Sequence, residues 1–151
     1  MSDIVVDANI LIYARVSDFP EHESARRALE AALVDATGRV VLTVGILHEV
    51  LHILTDGRRF GNPMSMADGI DFIRTYLGRT NIAVLPTQEV DLENALSLVE
   101  QFRLGRGRIS DALLAATARR YGIRRLMTHN VRDFAVFPFL EVIDPIVPTA
   151  G

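Results

Sequence analysis

The sequence predicts an α/β fold in which two layers of helices enclose a mainly parallel sheet. Short apolar runs rich in β-branched residues, such as residues 3–7 and 39–43, alternate with longer segments of helical apolar spacing. This alternation is typical of parallel sheets, whose right-handed crossovers place helices on both faces. The chain has 151 residues, 49% of them hydrophobic, so we expect a single domain over residues 1–151.

The first half of the chain contains two predicted strands, each followed by helical segments. Pro20 opens a stretch rich in Ala, Leu, Glu and Arg, which favours a helix with Pro in its first turn. Gly and Pro in residues 57–63 predict a loop. In order, the predicted elements are a strand at 3–7, helices at 8–17 and 20–37, a strand at 39–43, and helices at 45–56 and 64–78.

The second half continues the same alternation and adds three predicted strands. Gly122 follows a strongly helical segment and is a good C-cap. In order, the predicted elements are a strand at 81–86, a helix at 87–103, a turn at 104–108, a helix at 109–122, and strands at 124–128 and 140–144. In open parallel sheets the functional site lies outside the carboxyl ends of the strands, so residues that follow strands are the first candidates.

The composition excludes several kinds of chemistry. Cysteine is absent, which excludes a disulfide scaffold, a thiolate nucleophile and a Cys-bound metal. All 16 basic residues are Arg, and without Lys a Walker-type phosphate loop and Schiff-base catalysis are excluded. The net charge of −3 argues against a generally basic surface for nucleic acid, although a local basic patch remains compatible with it.

The N-terminal sequence indicates where the protein acts. "MSDIVVDANIL" has no basic segment and places an Asp inside its apolar stretch, so it is a poor signal peptide. No run approaches the ~18 apolar residues of a membrane span. We therefore expect a cytoplasmic protein with no membrane partner.

Four acids follow predicted strands or open the helices after them: Asp7, Glu49, Asp111 and Asp133. Because the carboxyl ends of parallel strands meet at one edge, all four are expected to converge on one crevice. Clustered carboxylates repel each other, and a cation relieves that repulsion. Mg²⁺ suits such a site because it prefers oxygen ligands, and a water activated there would attack a phosphodiester.

Each acid also has a purely structural alternative. Asp7 would cap a helix that begins at Ala8, and Asp111 would sit beside an N-cap Ser110. Glu49 would be one polar residue of an amphipathic helix, and Asp133 would form an Asx turn. Only the joint pattern of the four acids favours a site.

Four segments of the chain resemble the motifs of a known family. "IVVDANILIYA", "TVGILHEVLHIL", "RISDALLAATARRYG" and "RLMTHNVRDF" are similar, in order and spacing, to the four motifs of PIN-domain ribonucleases. A compact chain with these motifs most resembles a VapC-type toxin of a type II toxin–antitoxin pair. The resemblance implies a PIN-like three-layer fold and a Mg²⁺-dependent endoribonuclease, with Mn²⁺ as a substitute ion.

The resemblance also implies roles for individual residues. Asp7 and Asp111 match direct metal ligands, and Glu49 matches an acid that helps to hold the metal or its water. The family often has Asp where this chain has Asn130, so Asp133 is taken as the fourth catalytic acid. Asn130 and Thr128, the latter resembling the family's hydroxyl before that site, are kept as supporting residues.

"HEVLH", residues 48–52, offers a competing interpretation. It matches the H-E-x-x-H pattern, in which two His one helical turn apart bind zinc and the Glu acts as base. The extended pattern is missing, because Thr55 stands where metzincins have Gly and Arg58 where they have His. A third ligand would have to come from an acid such as Asp68 or Asp71. A zinc metalloprotease therefore remains the weaker alternative.

An acidic centre that cleaves RNA needs positive charge around it. "RLGRGR" places Arg103, Arg106 and Arg108 just before Asp111, and "DGRRF" supplies two further arginines. Arginine forks suit phosphate oxygens, so we expect the loop at 103–108 to guide RNA into the site. The alternative is an ordinary solvated loop.

The toxin resemblance implies partners as well. It predicts an RNA substrate, a cognate VapB-like antitoxin that blocks the acidic pocket, and a homodimer. The helix predicted at 64–78 carries more apolar residues than one stripe needs, which indicates either a second buried face or an interface. Two other functions stay open: a housekeeping PIN nuclease of RNA processing, which has no antitoxin reading frame beside it, and a non-catalytic binding module.

Overall fold

The sheet is central to the architecture. The computed structural model of the chain describes residues 2–148, so residues 1 and 149–151 of the predicted domain lie outside the described residues. Five strands form one sheet in the described part: β1 (Ile4–Val6), β2 (Val40–Thr43), β3 (Ile82–Leu85), β4 (Arg125–Met127) and β5 (Glu141–Ile143). Their order is β3-β2-β1-β4-β5, and every neighbouring pair is parallel. The predicted parallel sheet is confirmed.

Helices fill the connections between the strands. Within residues 2–148 there are seven: α1 (Ala8–Arg15), α2 (His22–Val34), α3 (Val44–Leu54), α4 (Met66–Arg74), α5 (Glu89–Phe102), α6 (Ile109–Arg120) and α7 (Val131–Phe134). A short 3-10 turn, Arg106–Arg108, leads directly into α6. No helix in the described part of the chain is both long and apolar enough to cross a membrane.

The helices pack as two groups. α1 contacts α2 and α3, and α3 contacts α4, whereas α5 contacts α6, and α6 contacts α7. The chain travels from β1 through β2 to the edge strand β3, then returns across the sheet to β4 and β5. Because right-handed crossovers change face when the direction of travel reverses, the two groups lie on opposite faces. The predicted three-layer arrangement is confirmed.

Every residue of β1 and β2 is buried in the core. Val5, Val6, Val40 and Val41 are buried to 1% exposure or less. Strands covered on both faces read as continuous apolar runs rather than alternating ones, which is why these segments were recognisable in the sequence. The same burial fixes the positions of the residues that leave each strand.

A reversal of strand order places a crevice beside β1. β2 and β4 flank β1, and the chain reaches them by connections that run in opposite directions. At such a switch point the loops leaving neighbouring strands diverge and leave a crevice at their carboxyl ends. The residues at this point are Asp7, after β1, and Thr128, after β4.

Element ends differ from the predictions where capping side chains decide them. The helix predicted at 64–78 begins at Met66, because the Ser65 hydroxyl accepts a hydrogen bond of 3.1 Å from the backbone N–H of Asp68. Pro20 precedes the start of α2 instead of lying in its first turn. Gly122 adopts a φ of 74° after α6, which confirms the predicted C-cap.

Two short elements were not predicted. α7 has only four residues, and the predicted turn at 104–108 contains the 3-10 turn. Because that turn continues into α6, Arg108 rather than Ser110 occupies the N-cap position of the helix. The structural alternative in which Ser110 caps α6 beside Asp111 is therefore wrong.

A buried ion pair joins α5 to α6. The Asp91 side chain is fully buried, and its Oδ1 accepts a hydrogen bond of 2.5 Å from Nε of Arg120. Its Oδ2 accepts from Nη2 of Arg120 at 3.0 Å and from the backbone N–H of Gln88 at 2.8 Å. Arg120 therefore lowers the pKa of Asp91. This pair fixes α6, which carries Asp111, against its neighbouring helix.

Candidate active site

A cleft of about 640 Å³ opens at the carboxyl edge of the sheet. It lies between α1 and α3 on one side and α6 on the other, which is where the reversal of strand order predicts a crevice. Its floor and walls include Asp7, Asn9, Thr43, His48, Glu49, His52, Arg59, Ser110, Asp111 and Asn130. Three of the four predicted acids therefore face one cleft.

Asp7 lies at the floor and is the most buried of these acids, at 9% exposure. It is the N-cap of α1, and its Oδ1 accepts a hydrogen bond of 2.8 Å from the backbone N–H of Ala8. Its Oδ2 accepts a second one, also 2.8 Å, from the hydroxyl of Thr128. Burial raises the pKa of Asp7, and the hydrogen bonds from Thr128 and Ala8 partly oppose that rise. The capping role is confirmed and coexists with a place in the cleft.

Asn9 and Thr128 join the first strand exit to the fourth. The Asn9 amide donates to Oδ2 of Asp7 and to the Thr128 hydroxyl, both at 3.2 Å. Its Oδ1 accepts from the backbone N–H of His129 at 3.1 Å. The Thr128 oxygen also accepts from the N–H of Asn130 at 3.0 Å. This network fixes the orientation of the Asp7 carboxylate.

Glu49 projects into the cleft from the second turn of α3 and is more exposed than Asp7. Desolvation raises its pKa, and the charges of Asp7 and Asp111 raise it further. Arg59 and His48 act in the opposite direction. Glu49 is thus electrostatically coupled to both aspartates, as expected of acids that converge.

Asp111 lies in the first turn of α6 and contacts an arginine of the preceding turn. Its Oδ2 accepts a hydrogen bond of 2.9 Å from Nε of Arg108. Burial raises the pKa of Asp111, the Arg108 hydrogen bond opposes this, and the charges of Asp133 and Asp7 add to the rise. Nη2 of Arg108 also donates to the backbone carbonyl of Asp133. Arg108 therefore links α6 to α7.

Asp133 and Asn130 occupy different places. Asn130 lines the cleft. Asp133 lies on α7, where its half-exposed carboxylate is 3.9 Å from Nε of Arg108. Asp133 is outside the cleft lining, yet its charge raises the pKa of both Asp7 and Asp111. Asp133 therefore affects the site through its charge, whereas Asn130 is part of the cleft wall.

The three cleft acids suit a hard divalent cation. Carboxylate, amide and hydroxyl oxygens surround the floor, and these are the donors that Mg²⁺ and Mn²⁺ prefer. A cation would also relieve the repulsion that raises the pKa of Glu49. Among residues 2–148, no three Asp, Glu or His side chains already form a metal-binding group. Oδ2 of Asp111 is engaged by Arg108, so a cation at this acid would compete with the arginine for that oxygen.

The arginines predicted to guide RNA divide into two kinds. Arg103 and Arg106 are exposed, and Arg103 ends α5 in the left-handed conformation with a φ of 52°. Arg108 is turned inward onto Asp111. Arg59, on the loop after α3, lines the cleft, and its Nε lies 3.6 Å from Oδ2 of Asp56.

The "HEVLH" histidines also reach the cleft. His48 and His52 are exposed, and their rings are nearly parallel, at 8°, with centroids 6.4 Å apart. A catalytic zinc site needs three protein ligands. Asp68 and Asp71 lie on α4, outside the cleft lining, and the described residues offer no third ligand beside the pair. The geometry does not support the zinc-protease alternative.

Sequence reasoning missed Asn9, Thr43 and Ser110 among the lining residues. Thr43 is buried and caps α3, and its hydroxyl accepts a hydrogen bond of 3.1 Å from the N–H of Ile46. The only available signal for these residues was adjacency to a strand exit or to Asp111. Adjacency does not distinguish a side chain that faces the cleft from one that faces away.

Comparison with known proteins adds independent information. The family model of the PIN domain matches residues 4–140. Ribonuclease VapC24 of Mycobacterium tuberculosis is 32% identical over 143 residues, which cover 93% of this chain and 95% of the relative. The crystal structure of M. tuberculosis VapC20, a toxin that cleaves the sarcin-ricin loop, shares the fold with a TM-score of 0.68 at 18% identity, covering 89% of this chain and 95% of that one.

A second solved structure agrees with the first. It belongs to a toxin–antitoxin complex from Klebsiella pneumoniae, with a TM-score of 0.62 at 22% identity, covering 94% of this chain and 97% of that one. These two likenesses concern the fold alone. The family match, in contrast, spans nearly the whole sequence and includes every strand-exit acid described above. The chain therefore belongs to the PIN domain family, and VapC24 is a curated ribonuclease that it resembles over almost its full length.

Proposed function

We propose that this chain is a divalent-metal-dependent endoribonuclease and the toxin of a VapBC-type toxin–antitoxin pair. The observation that carries the proposal is the convergence of Asp7, Glu49 and Asp111 on one cleft at the switch point of the sheet. The similarity to a VapC ribonuclease supports RNA as the substrate, and a toxin with the same fold supports the biological role. Cytoplasmic RNA is then the target.

Asp7 and Asp111 would hold Mg²⁺, or Mn²⁺ in its place, with Glu49 assisting. Bound there, the ion supplies charge neutralisation at the phosphodiester and lowers the pKa of a water. The fixed carboxylate of Asp7 suits a ligand that must not move, because Ala8, Asn9 and Thr128 hold it by hydrogen bonds.

Glu49 is suited to proton transfer. It lines the same cleft as Asp7 and Asp111 and is more exposed than Asp7, so water can reach its carboxylate. It projects from the exposed side of α3 into the cleft. Glu49 would accept the proton of the attacking water, and Asn130 would contact the phosphate from the opposite side of the floor.

Arg108 is the counter-ion of Asp111. Its guanidinium neutralises Asp111 and contacts the backbone of α7. Gly105 precedes the 3-10 turn and Gly107 lies within it, and an added Cβ at either would meet open space. If Asp111 held a metal ion, Arg108 would lose its partner and would be available to a substrate phosphate. Arg103 and Arg106, already exposed, would contact phosphates farther along the strand.

The partners follow from the same role. We infer a VapB-like antitoxin that covers the cleft, supported by the toxin–antitoxin complex of the same fold. We also infer a homodimer through α4 and the turn after it, where Met66, Ile70 and Leu77 are 55%, 36% and 48% exposed. Of the two alternatives for the apolar residues of this segment, exposure favours an interface over a second buried face.

Cleavage of total cellular RNA, including tRNA, tests the proposed activity. Purified protein should give discrete fragments with Mg²⁺ or Mn²⁺ and none with EDTA. Asp7→Asn should reduce cleavage by at least about 100-fold, because it removes a metal ligand and leaves a side chain of the same shape. Circular dichroism should show equal folding. Cleavage that survives EDTA or Asp7→Asn would contradict the proposal.

Glu49→Gln should stabilise the metal-free protein at neutral pH. The gain in free energy of unfolding should be a few tenths to about 1 kcal/mol, because the repelled carboxylate is partly screened by water. The raised pKa means that the native state binds this proton more readily than the unfolded state, so the cost of the charge is complete above the native pKa. The gain should therefore vanish as the pH falls below about 4.5, the ordinary value.

Chemical denaturation with and without Mn²⁺ checks this expectation. Added Mn²⁺ should stabilise the wild type more than the variant and so reverse their order, because the ion binds only the native state. Glu93→Gln, an exposed acid on α5, is the matched control and should show neither effect. Equal stabilisation of wild type and Glu49→Gln by Mn²⁺ would remove Glu49 from the metal site.

Arg108→Ala should bind Mn²⁺ several-fold more tightly than the wild type, because Asp111 no longer has a competing cation. The same variant should cleave RNA more slowly. Arg106→Ala is the control, since it removes an equal charge from the same turn without touching Asp111. Mn²⁺ binding can be measured by electron paramagnetic resonance of the free ion. Equal Mn²⁺ affinities of the two variants would show that Arg108 affects ion binding only through its net charge.

Light scattering at micromolar concentration tests the homodimer. The wild type should be a dimer, and Ile70→Glu combined with Leu77→Glu should be a folded monomer, because two buried charges at an apolar interface are strongly unfavourable. Val34→Glu, which changes the most exposed apolar side chain, on α2, is the control. A monomeric wild type would contradict this interface.

A further inference from the structure

The histidine pair of α3 has no role in the mechanism above, although both rings line the cleft beside Glu49. The ring centroids of His48 and His52 are 6.4 Å apart, and the planes differ by 8°. This separation of the centroids is nearly twice the roughly 3.4 Å spacing of stacked bases. Two exposed, nearly parallel aromatic faces therefore border an acidic floor.

Arg59 lies on the same side of the cleft as the histidines. Arg59 and His48 both lower the pKa of Glu49, so both side chains lie near the acid that borders the floor. Arg59 is paired only loosely with Asp56, at 3.6 Å, and its side chain is 60% exposed. It is therefore free to contact a phosphate.

The opposite side of the cleft has a different chemistry. α6 contributes Ser110 and the aliphatic residues Leu113 and Leu114. The volume of about 640 Å³ falls within the range of roughly 300–1,000 Å³ that accommodates small organic ligands. The cleft thus has room for a nucleotide between an aromatic wall and an aliphatic one.

We propose that His48 and His52 form a stacking platform for an unpaired base next to the scissile phosphate, with Arg59 contacting the adjoining phosphate. This inference rests on the proposed ribonuclease function and assigns the side chains that would contact the base beside the cleavage site. Bases inside a duplex are already stacked and leave no face for a protein ring, whereas unpaired bases stack readily on aromatic side chains.

RNA binding by cleavage-deficient protein tests the platform. The parent is Asp7→Asn, and the probe is a short fluorescein-labelled single-stranded RNA of mixed sequence, followed by fluorescence anisotropy. Adding His48→Ala and His52→Ala should weaken binding about tenfold, the scale of one lost base–ring stack. Adding His48→Phe and His52→Phe instead should keep affinity within about twofold of the parent, because both rings remain.

Two controls isolate the contact. Arg74→Ala, an exposed arginine on α4 outside the cleft lining, should leave RNA affinity unchanged. A duplex of the same sequence should bind the parent more weakly and should not distinguish the Ala pair from the Phe pair. Circular dichroism of each variant confirms folding, and Ala at two exposed helical positions is favourable for α3.

Several results would overturn the platform. Unchanged affinity in the Ala pair would do so, as would a Phe pair as weak as the Ala pair, since the contact would then be hydrogen bonding. If the Ala pair bound RNA as tightly as the parent but was no longer inhibited by the antitoxin, the two histidines would contact the antitoxin and not the RNA. If wild type cleaves RNA and the parent binds it, these outcomes overturn the platform alone. If neither occurs, the proposed function falls with it.

Discussion

The hydrogen bond between Thr128 and Asp7 is the interaction on which the site depends. It joins the exits of β1 and β4 at 2.8 Å across the reversal of strand order. Asp7 uses its other oxygen to cap α1, so one buried carboxylate fixes the first helix and the floor of the cleft together. Burial raises the pKa of Asp7, and the hydrogen bonds from Thr128, Ala8 and Asn9 offset part of that cost.

The fold also brings the carboxylates of Glu49 and Asp111 close to Asp7, where their like charges repel one another. Burial raises the pKa of both Glu49 and Asp111, and the charge of Asp7 raises both further. Arg108 offsets part of this repulsion, and the buried Asp91–Arg120 pair holds α6 so that Asp111 cannot simply move away. The packing of the helices therefore keeps like charges close together at the cleft, and a bound cation would relieve their repulsion.

The sequence predicted most of the fold and the centre of the site, for an identifiable reason. Strands buried on both faces leave continuous apolar runs, and in a parallel sheet all of them end at one edge, so Asp7, Glu49 and Asp111 could be grouped before any geometry was known. The contact of Arg108 with Asp111 depends on a single 3-10 turn, which a loop rich in Gly and Arg does not reveal. The places of Asn130 and Asp133 depend on α7, whose four residues are too few to show a period.

The site is assembled from distant parts of the chain, and this has a consequence for timing. Asp7 and Thr128 are 121 residues apart in sequence, and Asp111 is also contributed by the last third of the protein. A ribosome releases the N-terminal residues long before these partners exist, and contacts of such long range form late. A growing chain therefore carries an incomplete cleft until its synthesis is almost finished. An activity that depends on this cleft would therefore begin only after nearly the whole chain has been made.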